Sequence, residues 1–347
     1  MNAPTHPLVS IVLPCRNEAD NIIACVQSIL AQEPPEGGFE VLVADGMSTD
    51  GTRELLDEIA ANFPQIRVLN NPGRIVSTGL NAAIRAARGD IIIRMDAHTT
   101  YAPDYVQQCL GVMDETGADN VGGPMQTHAE TFLEEVVRAV FHSPFAVGGA
   151  RSHNASYEGW VDTVIYGCWR KSVFREVGGF DEELVRNQDD EHNLRMNRKG
   201  YRVYQSPRIR SWYRVRGSLS ALFRQYMQYG YWKILVIQKH RAPASWRHVV
   251  PGGFLAAISL LAVWGCFWKP ALWADLGLFA TYLLLVSLVS LFTAARSGWK
   301  LLPLLPAAFG CFHFGYGYGF LRGVWDFCLF HNAPQTEFVR LTRNRPL

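Results

Sequence analysis

The chain has 347 residues, a formal net charge of +2 at neutral pH and 48% hydrophobic residues. This length suits one large domain or two smaller ones, and the small net charge argues against a nucleic-acid partner. Seven cysteines are scattered along the chain without a CxxC pair, which favours a reducing compartment over a disulfide framework. The hydrophobic residues are unevenly spread, and this divides the chain into a mixed first part and an apolar last part.

The first part alternates strand-like and helix-like segments. Strands are predicted at 8–14, 39–45, 65–70 and 90–96, and helices at 18–32, 48–63 and 77–89. This alternation predicts an α/β fold with a parallel, doubly wound sheet. Ligands bind such sheets beyond the carboxyl ends of the strands. Those ends carry the polar sequences PCRNE, ADGMSTDGT and DAH.

Three long segments of the last part contain no Asp, Glu, Lys or Arg: residues 249–268, 276–295 and 301–321. Each is about the ~20 residues that a helix needs to cross a bilayer. We therefore predict a multi-pass transmembrane region over 246–332, with a buried helical core as the alternative. The N-terminus has no signal-peptide pattern, and basic residues flank the segments, so the first part is expected on the cytoplasmic side of the inner membrane.

The basic tail, residues 333–347, conflicts with three spans, because an odd number of spans would place it outside, against the positive-inside tendency. The last apolar segment contains Pro303, Pro306 and a run of glycines. A broken or re-entrant segment that returns the tail to the cytoplasm is therefore the alternative. The sequence leaves both topologies open.

The region before the first span, residues 216–245, predicts an amphipathic helix. Leu219, Leu222, Phe223 and Tyr226 follow helical spacing, and basic residues accompany them. This composition is typical of a helix that lies in the membrane interface. Packing of the helix against the sheet is the alternative.

The strand-like run IIIRMD ends at Asp96, and His98 follows two positions later. On an extended backbone, side chains at this spacing point the same way. A carboxylate and an imidazole on one face form a site for Mn²⁺ or Mg²⁺ that phosphates and water would complete, and the imidazole favours Mn²⁺. The alternative is that His98 is a hydrogen-bonding strand cap and Asp96 is the sole ligand.

Two further carboxylates are candidates for functional roles. Asp45 ends the second predicted strand, where it can accept hydrogen bonds from a base or a ribose, although Asp-Gly also favours a plain turn. Asp189 opens the helix-like sequence DDEHNLRMNRKG, where the helix dipole favours its anionic form and suits a general base. Only one of Asp189, Asp190 and Glu191 should face a cleft, because successive helical residues point in different directions. A solvated acidic helix start is the alternative.

Taken together, five motifs over roughly residues 8–215 resemble those of glycosyltransferase family 2. SIVLPCRNEADNI is similar to the family's P-x-x-N-E turn, VLVADGMSTDGT to its uridine-binding D-D-G-S-T-D-G-T, and RMDAHT to its D-x-D metal motif. YGCWRKSVFREVGGFDEEL resembles the wall of the donor and acceptor site, and NQDDEHNLRMNRKGYRV the E-D-x-D-L-x-x-R stretch with the catalytic base. Within the family, the ADG, DAH and NQDDE variants resemble enzymes of the succinoglycan-biosynthesis type.

The resemblance implies an inverting enzyme with a cytoplasmic GT-A domain over 1–215 and a C-terminal membrane anchor. It implies a catalytic base, Asp189, and a metal pair, Asp96 and His98. The implied nucleotide-sugar-binding residues are Pro14, Arg16, Asn17, Glu18, Asp45, Arg74, Asp96, Gly167 and Trp169. Arg74 could equally lie on the surface, and Trp169 could equally be a core residue. Ala44, His98 and Gln188 depart from the family pattern, in which carboxylates occupy these positions.

The implied reaction moves one sugar, glucose from UDP-glucose, onto a polyprenyl-diphosphate-linked saccharide in exopolysaccharide biosynthesis. The sequence RQYMQYGYWK only loosely resembles the Q-x-x-R-W motif of processive synthases, because Tyr231 rather than arginine precedes Trp232. This departure favours transfer of a single sugar. A processive polysaccharide synthase is the first alternative, and an inactive, transferase-like membrane scaffold is the second.

Overall fold

The computed structural model describes residues 9–340, which form two compact units. The first unit comprises 9–127 and 151–214, and the second comprises 128–150 and 215–340. The predicted extent of the first domain, 1–215, stays a prediction. Residues 128–150 group with the C-terminal helices. Residues 341–347 of the predicted basic tail lie outside the described residues.

Eleven strands form two sheets within the described residues. They are β1 (Val9–Cys15), β2 (Phe39–Asp45), β3 (Ile66–Asn70), β4 (Ile91–Arg94), β5 (Thr99–Tyr101), β6 (Asn120–Gly122), β7 (Gln126–His128), β8 (Gly159–Val161), β9 (Cys168–Arg170), β10 (Val203–Gln205) and β11 (Ser211–Arg214). The larger sheet has the order β3-β2-β1-β4-β9-β6-β10-β8, and the smaller sheet has the order β5-β11-β7. Strands β1 to β4 are parallel, as the alternation predicted. Strand β9 runs antiparallel to β4 and β6, so the complete sheet is mixed.

The helices, in chain order, are α1 (Ile22–Leu30), α2 (Thr52–Asn62), α3 (Val76–Ala86), α4 (Tyr105–Thr116), α5 (Phe132–Phe141), α6 (Pro144–Val147), α7 (Lys171–Glu176), α8 (Gln188–Arg198), α9 (Leu219–His240), α10 (Val250–Gly265), α11 (Lys269–Ser297), α12 (Leu305–Gly323) and α13 (Thr336–Val339). Helices α5, α6 and α9 to α13 belong to the second unit. The predicted amphipathic helix is α9, and its position in a membrane interface stays a prediction.

The core of the first unit lies on both faces of the larger sheet. Successive side chains of β1 and β4 alternate between two buried clusters, because strand side chains point to opposite faces in turn. One cluster contains Ile11 and Ile93, and the other contains Val12 and Ile92. Burial on both faces explains the nearly continuous apolar sequence of these strands. Polar residues are left for the carboxyl ends, beyond the covered part of the sheet.

In the second unit, α9 packs closely along α12. Gly315, Gly319 and Gly323 of α12 face, in that order, the main-chain carbonyl groups of Phe223, Met227 and Tyr231 of α9. Both series advance by four residues, so the two helices run parallel. Small residues at this spacing allow two helix backbones to approach closely.

Gly319→Ala is expected to destabilise this helix pair, because the added Cβ would lie 1.8 Å from the carbonyl oxygen of Met227. Gly310→Ala on the same helix is the matched control, since the nearest atom there is a side-chain carbon of Phe314 at 3.8 Å. Overpacking costs about 1–3 kcal/mol, whereas alanine is favoured over glycine in a helix by about 1 kcal/mol. Thermal unfolding of the full chain in detergent should show a lower Tm for Gly319→Ala alone. Equal Tm values for both variants would contradict the close contact.

Within residues 9–340, one helix, α11, is long and apolar enough to cross a membrane, and 22% of its most apolar window is buried. Helix α10 is also apolar but has 16 residues. The third predicted span coincides with α12, whose sequence alternates glycine with tyrosine and phenylalanine. The prediction of three spans is therefore not confirmed.

Candidate active site

Strands β1, β2 and β4 bring three polar segments to one edge of the larger sheet. The register pairs Cys15 with Asp45, and Asp45 with Asn70, at the carboxyl ends of neighbouring strands. Pro14 is the last but one residue of β1 and is buried within it. The residues at and after these strand ends include those that were predicted from the sequence to bind the nucleotide.

Hydrogen bonds join the turn after β1 to the loop after β2. The backbone N–H of Asn17 donates to Oγ of Ser48 at 2.9 Å, and its side-chain oxygen accepts from the N–H of Thr49 at 2.9 Å. Asn17 has φ 54°, a left-handed conformation that asparagine tolerates well. The N–H of Glu18 donates to Oγ1 of Thr52 at 2.9 Å. The two loops therefore form one connected wall.

The carboxylate of Asp45 is engaged inside this wall. It accepts hydrogen bonds from Oγ of Ser48 at 2.6 Å and from the Ser48 N–H at 3.2 Å, and Arg53 lies 3.7 Å away. Asp45 is 2% exposed. These contacts are those of a turn, and recognition of a base or ribose by Asp45 stays a prediction.

Arg16 and Arg74 form a pair of like charges beside the wall. The Nη1 group of Arg16 donates to the main-chain oxygen of Arg74 at 3.2 Å. Burial, and then the positive charge of Arg74, lower the pKa of Arg16. Among the described residues, nothing accepts a hydrogen bond from the buried Nε of Arg16. An anion placed between the two guanidinium groups would relieve their repulsion and satisfy this donor.

Strand β4 ends at Arg94, earlier than predicted, and this changes the geometry of the Asp96–His98 pair. The N–H of Thr99 donates to the main-chain oxygen of Asp96 at 3.1 Å, which closes a turn over these residues. The prediction that Asp96 and His98 lie on an extended backbone, with their side chains pointing the same way for that reason, is therefore wrong. Their role as a metal pair stays a prediction.

Arg94 holds both oxygens of Asp96. Its Nε lies 2.9 Å from Oδ1 and its Nη2 lies 3.0 Å from Oδ2, a bidentate pair. The Arg94 side chain is 4% exposed, and its Nη1 has no hydrogen-bond acceptor among the described residues. Sequence reasoning missed Arg94, although one charged residue inside the run IIIRMD was the signal that could have revealed it.

His98 lies near Glu18 and the aromatic ring of Tyr213. Its Nδ1 is 3.6 Å from Oε1 of Glu18, and its ring meets the ring of Tyr213 edge-on at 5.3 Å. Over residues 9–340, no group of three or more His, Cys, Asp or Glu side chains is arranged as a complete metal site. One carboxylate and one imidazole fit a cation that takes most of its ligands from bound phosphates and water.

Asp189 stands in the first turn of α8, beside Asp190 and Glu191. Glu191 is buried and bound to Arg195 at 2.7 Å, so it serves the structure of the helix. Burial would lower the pKa of Arg94, but Asp96 and then Asp189 raise it above its usual value. The charge of Asp189 therefore acts at the same buried guanidinium that holds Asp96.

Side chains of α8 bind the segment that follows α7. Arg195 donates to the carbonyl oxygens of Val177 at 2.8 Å and Gly179 at 2.6 Å. His192 donates through Nε2 to the carbonyl oxygen of Gly178 at 3.2 Å. Three consecutive carbonyl groups, those of Val177, Gly178 and Gly179, are thus bound to the helix that carries Asp189.

Acidification is expected to destabilise this arrangement. Burial, and secondarily Arg195, lower the pKa of His192 from 6.5 to about 3. Below pH 6.5, His192 binds a proton in the unfolded chain but stays neutral in the folded chain. The free energy of unfolding is therefore highest above pH 6.5 and decreases as the pH falls toward 3. The slope is about 1.4 kcal/mol per pH unit. Unfolding curves between pH 7 and 4.5 should show this slope for the wild type and a smaller one for His192→Gln. If both proteins show the same slope, the pH dependence of stability arises from titratable groups other than His192.

Gly167 precedes β9, and Trp169 is the middle residue of that strand. The carbonyl oxygen of Gly167 accepts a hydrogen bond from the Arg94 N–H at 2.9 Å, and a Cβ on Gly167 would lie 2.2 Å from the Trp169 ring. Trp169 is 3% exposed and packs against Phe174 and Phe180. Its ring belongs to the core, and a contact of Trp169 with the donor sugar stays a prediction.

The fold is of the GT-A type. A mannosyltransferase, PcManGT from Pyrobaculum calidifontis in complex with GDP-Man and Mn²⁺, has a similar structure with a TM-score of 0.58 and 19% identity. The similarity covers 93% of this chain and 89% of that chain. This similarity confirms the predicted fold class.

Sequence relatives identify the family. The glycosyl transferase family 2 profile matches residues 10–177. Succinoglycan biosynthesis protein ExoA of Rhizobium meliloti is 34% identical over 263 residues, which cover 73% of this chain and 79% of the relative. The dolichyl N-acetyl-alpha-D-glucosaminyl phosphate 3-beta-D-2,3-diacetamido-2,3-dideoxy-beta-D-glucuronosyltransferase of Methanococcus voltae is 26% identical over 324 residues, 91% of this chain and 97% of the relative. The chain belongs to glycosyltransferase family 2, as its motifs predicted, and is a glycosyltransferase.

Proposed function

We propose that this glycosyltransferase moves one sugar from a nucleotide sugar, with UDP-glucose as the first candidate, onto a polyprenyl-diphosphate-linked saccharide. The acceptor lies at the cytoplasmic face of the inner membrane, and the product is a precursor of an exopolysaccharide. The observation that carries the proposal is the bidentate contact of the buried Arg94 with Asp96 at the edge of the sheet, and the charge of Asp189 also raises the pKa of this arginine. The names of the relatives from Rhizobium meliloti and Methanococcus voltae support the classes of product and acceptor.

In this reaction Asp189 takes the proton from the acceptor hydroxyl group. The resulting oxygen attacks the anomeric carbon from the side opposite the diphosphate, the bond to the diphosphate breaks, and an α-linked donor gives a β-linked product. Arg16 and Arg74 bind the negative charge of the departing diphosphate, which the contact between Arg16 and the main chain of Arg74 and the repulsion between their positive charges favour. Asp96 and His98 would hold a Mn²⁺ or Mg²⁺ ion, which supplies further neutralisation of the leaving group when bound.

The release of UDP tests this function. Purified full-length protein is incubated with a panel of nucleotide sugars and a bacterial lipid extract as acceptor, with GDP-mannose in the panel as a donor carrying another base. Transfer from UDP-glucose to a lipid-extractable product of one added sugar is the expected result. A long polymer would favour the processive alternative, and UDP binding without any transfer would favour the scaffold.

Removal of divalent cations is expected to lower the rate of transfer about 100-fold, because a cation contributes several kcal/mol to stabilising a phosphoryl leaving group. Added Mn²⁺ should restore the rate. His98→Asn should raise the Mn²⁺ concentration for half-maximal rate about tenfold or more if the imidazole is a ligand. If His98→Asn needs the same Mn²⁺ concentration for half-maximal rate as the wild type, His98 is a strand-end cap and not a ligand. Full activity after exhaustive chelation would rule out a role for the cation.

A further inference from the structure

Helices α10 and α11 of the second unit form an antiparallel hairpin. A Cβ on Gly265 would lie 3.0 Å from Leu272, near the turn, and the rings of Phe254 and Tyr282 are 5.0 Å apart further along. The 29 residues of α11 extend over about 44 Å, and the 16 residues of α10 over about 24 Å. The hydrocarbon core of a bilayer is about 30 Å thick, and a slightly short helix is accommodated by local thinning.

The surface of this hairpin has the chemistry of a lipid contact. Large apolar side chains along both helices are exposed, among them Leu260 at 68% and Leu284 at 60%. Aromatic residues gather at the turn: Trp264, Phe267, Trp268 and Trp273 are all more than half exposed. Trp rings prefer the boundary between lipid and water, so the turn is suited to the far interface of a bilayer.

Helix α12 returns to the level at which the hairpin begins. A Cβ on Gly317 would lie 2.7 Å from the carbonyl oxygen of Pro251, and one on Gly252 would lie 2.2 Å from the Phe320 ring. The second half of α12 thus lies beside the first turn of α10. It also runs parallel to α9, which precedes the first crossing. A helix fixed to both of these segments stays on the side of the membrane from which the hairpin starts.

The C-terminal segment is bound to α9 as well. The indole N–H of Trp232 donates to the carbonyl oxygen of Phe338 at 2.9 Å, and the Phe338 ring stacks on Tyr231 at 3.8 Å. The side-chain amide of Gln228 donates to the carbonyl oxygens of Glu337 at 3.1 Å and Arg340 at 2.7 Å. Gln228, Tyr231 and Trp232 belong to the sequence RQYMQYGYWK, so this motif binds the chain's own C-terminal segment.

We propose that the chain crosses the bilayer twice, through α10 and α11, and that α12 and the C-terminal segment remain on the side from which the hairpin starts. This deepens the proposed membrane-bound function and rests on it. It chooses between the two topologies that the sequence left open, because a returning α12 places Arg340 in the cytoplasm, in agreement with the positive-inside tendency.

Labelling of single exposed cysteines tests the topology in the full-length protein. Cys15, Cys25, Cys109 and Cys168 are buried, whereas Cys266 and Cys328 are exposed and Cys311 is partly exposed. Cys266 and Cys311 are replaced by serine, so that Cys328, which follows α12, is one reporter. In two further variants Cys328 is also replaced, and Lys269→Cys at the turn or Ala242→Cys before α10 serves as the reporter. Both of these positions are exposed.

A membrane-impermeant maleimide is applied to spheroplasts and to inside-out vesicles from a Gram-negative host. We expect Lys269→Cys to react in spheroplasts, and Cys328 and Ala242→Cys to react only in inside-out vesicles. Reaction of Cys328 from the outside would establish three spans and overturn the proposal. Reaction of all three reporters from the inside only, with release of the protein by alkaline carbonate, would show that the hairpin does not cross, and would overturn it too. Sugar transfer by the same vesicles is measured separately, so a failed topology and a failed activity are distinguishable.

Discussion

Asp189→Asn is expected to lower kcat for sugar transfer about 10²–10⁴-fold, the usual contribution of a general base. The amide has nearly the same shape as the carboxylate but cannot accept the proton of the acceptor hydroxyl group. Binding of UDP should change little, because the nucleotide contacts proposed for Arg16 and Arg74 lie on other loops. Initial rates of UDP release at saturating donor and acceptor measure the first effect, and calorimetry of UDP binding measures the second.

Asp190→Asn is the matched control, because Asp190 is the next residue of the same helical turn and is similarly half-buried. Its turnover should stay within about threefold of the wild type, since one helical position faces a different direction from the next. Glu191 is less suitable as a control, since its ion pair with Arg195 supports α8. Near-normal turnover of Asp189→Asn, or an equal loss in Asp190→Asn, would contradict the assignment of the base.

The strands of the parallel half of the sheet could be predicted from the sequence because their signal is local. Predicted strands at 8–14 and 39–45 differ by at most one residue from β1 and β2. The end of β4 was placed two residues too late, since Met95 is apolar and continues the pattern. The turn that closes over Asp96 depends on a hydrogen bond with Thr99 and on the bidentate contact with Arg94, neither of which a hydrophobic pattern records.

The sequence allowed the location of the site residues in the sheet to be predicted, but not the side chains that each of them contacts. Residues at the carboxyl ends of β1 and β2 do meet at one edge, as parallel strands require. The engagement of Asp45 by Ser48 and the burial of Trp169 depend on side-chain packing that residue type alone leaves undetermined. The same holds for the second unit, where the glycines of α12 were recorded only as helix-breaking residues. Their close contacts with α9 depend on the packing of the two helices, which the sequence pattern does not show.

Arg94→Met is expected to lower kcat about 100-fold. Arg94 holds both oxygens of Asp96 and lies in the field of Asp189, so its removal leaves two carboxylates to repel each other and moves the proposed base and metal ligand from their positions. Misplacement by about 1 Å is enough for such a loss. Arg94→Lys keeps the charge but cannot bind two oxygens in one plane, and it should recover only part of the rate.

Manganese binding separates this role from a merely structural one. Without the guanidinium group, the oxygens of Asp96 lose their bidentate partner and a competing positive charge, so Arg94→Met should bind Mn²⁺ more tightly while it transfers sugar more slowly. Free Mn²⁺ measured by electron paramagnetic resonance reports the affinity without any turnover. Arg88→Met is the control for the loss of an arginine, because Arg88 pairs with Glu40 at 3.0 Å at the opposite end of the sheet. Weaker Mn²⁺ binding in Arg94→Met, or an equal loss of kcat in Arg88→Met, would show that Arg94 acts on the fold and does not position the two aspartates.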